Sequence, residues 1–223
     1  VSTMHLGVVL AIYSIASFIS APFFGMLSDK TGRRPLLIVG LLVFALSFFI
    51  FAVLSHSLTV LYITRFVGGM ASGALYTSTT SMVADLTSVQ ERTKYMGLVG
   101  MSVGFGFVFG PGIGGMLGSV AMSMPFFMTS AVILVALIVA FLFIQETYKP
   151  STVPQGKITM AKEYFIQPVG ILLVATFFVM FMMSGMESTF QLLGQELINI
   201  TPGQMGVLFF IGGIFNVIVQ GGI

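Results

Sequence analysis

The sequence predicts an all-α, polytopic membrane protein, and three observations carry that expectation. Hydrophobic residues fill 57% of the 223 positions and charged residues only 7%, against about 25% charged in an ordinary soluble domain. Mean hydropathy is +1.06, so a water-soluble fold of this size would lack the polar side chains to clothe its surface. The apolar residues gather into seven runs, each near the ~20 residues that a helix needs to cross hydrocarbon. Closed helices satisfy their own backbone at that depth, and the runs are too long and continuous for barrel strands.

In order, the runs lie at roughly 6–27, 35–55, 58–84, 94–118, 122–144, 168–190 and 203–223. The first opens almost directly after Val1, and Pro35 suits the first turn of the second. The third holds Arg65, the only basic residue inside a run, and the fourth is rich in glycine. The fifth is uniformly apolar, the sixth contains Glu187 as the only acid well inside a run, and the seventh ends at Gln220, Gly221, Gly222 and Ile223. A chain that begins and stops within apolar runs, with an odd number of spans, is expected to lack segments at both ends.

Charge fixes the expected topology. Lys30, Arg33 and Arg34 follow the first run, Arg92 and Lys94 precede the fourth, and Lys149, Lys157 and Lys162 separate the fifth from the sixth. These are alternate connections, whereas the intervening ones near 55–59, 118–122 and 191–202 hold no lysine or arginine. The basic side is therefore cytoplasmic, with Val1 outside and Ile223 near the cytoplasmic face. The longest connection contains Pro150, Pro154 and Gly156 and reads as a linker. It divides the chain into an amino-terminal helical bundle at 1–144, a cytoplasmic linker at 145–167 and the start of a second bundle at 168–223.

Several function classes fall away. A net charge of +2 is no nucleic-acid footprint, which needs a dense basic patch. Cysteine is absent, and His5 and His56 have no partner at ligand spacing, so no metal is expected. The glycine run lacks the lysine and serine or threonine of a phosphate loop. The chain is therefore expected to be no enzyme and to hold no cofactor.

Between the first two runs, Gly25, Asp29, Gly32, Arg33, Arg34 and Pro35 combine a helix-end acid, a reversal point and an arginine pair. With Asp85 and Arg92 they could form an inner charge cluster that latches one conformation, or merely orient the protein. Arg65 should face the bundle interior, because burying a lone charge costs several kcal/mol. Its alternative is a structural arginine snorkelling to the outer interface. Gly69, Ser72, Gly73, Tyr76 and Thr80 extend a small, polar stripe from it. Gly106, Gly110, Gly114 and Gly118 recur four apart, which allows close approach of another helix, and Pro111 and Gly115 add a bend and more room. Packing or a hinge would explain them equally. Glu187 lies among Met183, Met186, Phe190 and Gln191, and a carboxyl in such surroundings could take up and release a proton or stay a neutral structural acid.

These motifs carry a resemblance. Gly25 to Pro35 resembles the loop signature between spans two and three of the major facilitator superfamily, and Arg65 to Gly69 resembles its fourth-span arginine signature. Gly104 to Gly115 is similar to the fifth-span signature of its drug:proton antiporters. Phe143 to Thr147 is similar to the usual close of the sixth span, with Gln145 where proline is common. Met124 to Phe127 and Met186 to Phe190 look most like the staphylococcal quinolone and bacillar multidrug branch.

The resemblance implies twelve spans in two halves, of which this chain would cover two to eight. It implies proton-coupled efflux of apolar or cationic molecules across a bacterial cytoplasmic membrane by a protein functional as a monomer when full length. Protons would be the coupling ion, with Glu187 and Arg65 in their pathway. Tyr76, Met183, Met186, Glu187, Phe190, Gln191 and Gln220 would line the substrate cavity. A sugar or metabolite carrier of the same superfamily is the alternative, and a seven-span receptor a remoter one.

Overall fold

The structure is a computed structural model that describes residues 3–54, 57–148 and 169–221. Each predicted run becomes one helix: α1 (Thr3–Thr31), α2 (Arg33–Val53), α3 (Leu58–Leu86), α4 (Val89–Val120), α5 (Met124–Phe143), α6 (Val169–Ile198) and α7 (Pro202–Gly221). Among the described residues, α1 to α5 are long and apolar enough to span a membrane. In α6 and α7 the apolar stretches, 170–186 and 203–215, are shorter. The linker from 149 onward lies outside the described residues.

The corrections fall at helix ends. α4 starts at Val89 rather than 94, with Ser88 at its N-cap position: the Arg92 amide donates to the Ser88 carbonyl at 2.9 Å as the first bond of the helix, and the Ser88 hydroxyl donates to the Glu91 carboxylate at 2.8 Å. α6 continues to Ile198 rather than 190, so Gln191 lies on a helix and not in a connection. Asn199 then turns the chain at a positive φ of 49°, a conformation asparagine tolerates. Thr201 and Gln204 exchange hydrogen bonds at 3.0 and 3.3 Å, a capping box that starts α7 with Pro202 in its first turn.

α3 is the centre of the first five helices, with α1 on one side and α2 on the other, and α2 carries α5. Small residues make these approaches close. A β-carbon at Gly73 would lie 2.7 Å from the Ser17 carbonyl, and one at Gly69 would collide with the Tyr13 carbonyl. The Ser130 hydroxyl donates to the Ala45 carbonyl at 2.9 Å, joining α5 to α2.

α4 packs on α7. A β-carbon at Gly206 would meet the Pro111 carbonyl at 2.6 Å, one at Gly213 would meet Val108 at 2.7 Å, and Phe109 lies 5.6 Å from Phe210. Among the described residues this contact lies on another face from the four-spaced glycines: a β-carbon at Gly106, Gly110 or Gly114 would have nothing within 4 Å, and one at Gly118 would meet Pro125 at 3.8 Å. The contact face is Val108, Pro111 and Gly112, with Gly115 in register by spacing. Four-residue spacing defines a face but not which neighbour it meets.

Candidate functional site

Two sites stand at opposite ends of α3. At one, α1 ends and α2 begins around Gly32, whose φ of 99° is open to glycine at little cost. That reversal aims Arg33 back across α1 and α3. Its side chain, 11% exposed, donates to Asp85 at 3.1 Å and Ser28 at 2.9 Å, and pairs with Asp29. One guanidinium thus bridges carboxylates on two helices, using the fork geometry that lysine lacks.

A carboxylate that the sequence reading did not select organises this end. Glu146 accepts the amides of Arg33 at 2.9 Å and Arg34 at 3.1 Å, which are free donors of the first turn of α2. It also accepts those of Thr147 at 3.0 Å and Tyr148 at 2.9 Å. Desolvation pushes this carboxyl up, but the amides of Tyr148, Arg33, Arg34 and Thr147 together outweigh it and hold it below its ordinary value. A β-carbon at Gly32 would lie 2.5 Å from Glu146 Oε2.

The other predicted latch residues divide. Arg34 donates to the Phe141 carbonyl at 2.8 Å and lies over the Phe141 ring. Arg92 reaches the Ala84 carbonyl at 3.2 Å rather than a carboxylate, finishing α3. A β-carbon at Gly25 would lie 3.3 Å from Thr77 in the α1–α3 contact. The charge cluster proper is therefore Asp29, Arg33 and Asp85, with Glu146 beneath it.

Arg65 lies toward the far end of α3, half-buried among three rings: Phe51 at 4.1 Å, Phe48 at 5.1 Å and Phe126 at 5.7 Å. These belong to α2 and α5, so the guanidinium is held by aromatic faces. Tyr76 is 68% exposed and eleven residues along α3, about 16 Å of rise, so the two do not meet. His5 Nδ1 and the Tyr62 hydroxyl, 2.6 Å apart, tie α1 to α3 at the same far end.

Met186 and Phe190 are exposed on α6, and Phe190 packs edge-on against Phe209 of α7 at 6.1 Å. Met183, Glu187 and Gln191 occupy α6 and Gln220 occupies α7, but their side chains lie outside the described set. Among the described residues no group of three or more histidine, aspartate or glutamate side chains is placed to hold a metal.

Residues 1–223 match the sequence profile described as Major Facilitator Superfamily. The chain is 31% identical over 221 residues to the quinolone resistance protein NorA of Staphylococcus aureus, covering 96% of this chain and 56% of that protein. It is 32% identical to multidrug resistance protein 2 of Bacillus subtilis, covering 98% and 56%. The chain thus spans about half the length of the curated relatives it matches. Among solved structures, the human organic anion transporter MFSD10 (TETRAN) superposes with a TM-score of 0.72 at 26% identity, covering 96% of this chain and 55% of that one.

Proposed function

The chain belongs to the Major Facilitator Superfamily, and from that premise we propose that it serves in proton-coupled efflux of apolar or cationic small molecules by alternating access. The observation that carries the reading is Glu187, the acid that directly follows the apolar stretch of α6, in a chain whose bacterial relatives are quinolone and multidrug resistance proteins. The protein works in a bacterial cytoplasmic membrane as a monomer, with the charged end of α1 to α5 inside.

External protons neutralise Glu187 while the passage faces outward and weaken its hold on a cation. Closing outside and opening inside releases the proton, and capture of a cation then favours return. Proton and cargo compete for one carboxylate, so influx of one drives efflux of the other. Met183, Met186 and Phe190 supply pliable apolar surface for the guest, with Tyr76, Gln191 and Gln220 as polar contacts. The Asp29–Arg33–Asp85 cluster holds one closed arrangement, and α4 on α7 accommodates the rocking.

The test is dye efflux driven by a pH gradient in proteoliposomes. Glu187→Gln should fall to the rate of empty vesicles, and undiminished coupled efflux by the correctly inserted variant would remove the assignment. A panel of ethidium, a fluoroquinolone, a sugar and an organic anion decides the cargo. Stimulation of proton movement by the sugar or the anion alone would replace the cationic reading.

A further inference from the structure

We propose that Glu146 is a positioning residue for Arg33: by holding the amides that open α2 and those that follow α5 on one carboxylate, it sets the backbone from which Arg33 reaches Asp29 and Asp85. The inference deepens the transport reading and rests on it only for the direction of the cycle.

Three observations converge on it. One carboxylate accepts four amides, two at the start of α2 and two at the start of the linker, from segments 113 residues apart along the chain. Charge-assisted bonds of this kind are about twice as strong as neutral ones, so the backbone that follows α5 and the backbone that opens α2 are held firmly to one carboxylate. The Arg33 amide is one residue's backbone away from the guanidinium that bridges Asp29 and Asp85, and that guanidinium also lies 5.5 Å over the Tyr148 ring. Gly32 then has a second reason to be glycine: any side chain there would push the carboxylate off its donors.

A plain helix cap would satisfy the α2 amides without reaching the linker. A plain linker turn would satisfy Thr147 and Tyr148 without reaching α2. Because Glu146 holds both, loss of its grip releases Thr147 and Tyr148 and lets the backbone that carries Arg33 shift.

The experiment uses the protein in lipid nanodiscs, as wild type, Glu146→Gln, Gly32→Ala and Arg33→Ala with and without Glu146→Gln. Amide exchange at residues 33, 34, 147 and 148 should quicken about tenfold in the first two variants, the loss of roughly one charge-assisted hydrogen bond. Spin labels at Val89 on α4 and Phe215 on α7, both exposed, report the distribution of arrangements. Glu146→Gln should shift that distribution in the same direction as Arg33→Ala, and should shift it no further once Arg33 is alanine.

Unchanged exchange would overturn the tie. Faster exchange with an unmoved distribution would reduce Glu146 to a cap and overturn the positioning role, as would a full further shift in the Arg33→Ala background. A protein that shows the expected exchange and distribution but moves no protons would sink the transport reading and leave the tie standing.

Discussion

Arg33 and Arg65 present the same guanidinium to opposite ends of one helical bundle, and the bundle holds them by different physics. Arg33 is fixed by two carboxylates, a hydroxyl and a carboxylate-capped backbone. Arg65 is fixed by the faces of Phe48, Phe51 and Phe126. Opposite charges meeting at a rim that water reaches form a bond that can be exchanged for another. Aromatic faces offer a cation a place with no competing proton and little response to salt. The first arrangement suits a contact that opens and closes, and the second suits one that stays.

Substitution at each site can break that contrast. Arg33→Ala should lose the most, about 2–3 kcal/mol, because it strands Asp29 and Asp85 together. Arg65→Ala should cost about 1–2 kcal/mol for a cation taken from its rings. Unfolding midpoints in one detergent give both numbers, and equal losses would erase the distinction. Salt sharpens it: at about 1 M the screening length is about 3 Å. The Arg33→Ala penalty should shrink with added salt while the Arg65→Ala penalty stays. A parallel response would mean that Arg65 is ion-paired after all.

The smallest effect is with pH. Glu146 is held below the ordinary carboxylate value, so its stabilisation is full above about pH 4, the unfolded value. It is lost as pH falls through the lower folded value. Arg33 and Arg34 face it from α2 and Tyr148 from the linker, with Asp29 and Asp85 beyond Arg33. Thermal melts between pH 6 and pH 3 should lose this contribution in wild type and show none in Glu146→Gln. Identical acid profiles would assign the loss to other carboxylates.

The helices were legible because apolar length alone reports a span, and the Asp29–Arg33–Asp85 meeting because its residues cluster at connections. Glu146 was not, since its donors are main-chain amides that no side-chain pattern encodes and that a reversal at Gly32 brings within reach. On α4, spacing marks Gly106, Gly110 and Gly114 as one face, while α7 sits on the face of Val108, Pro111 and Gly112. For Arg65, spacing along α3 linked it to Tyr76, while its actual neighbours come from α2 and α5.

At the join of α6 and α7, a β-carbon on Gly194 would lie 2.6 Å from the end of Met205, which is 4% exposed. With Asn199 and the Thr201–Gln204 pair, the join works as a stiff elbow. Position 187 is eleven residues from Ile198, so it rides on a forearm of about 16 Å. A tilt of α7 against α4 passing through such an elbow would sweep that position by about 0.3 Å per degree. A few degrees at the far end would then displace the acid by more than an ångström, without any side chain along α6 having to change rotamer.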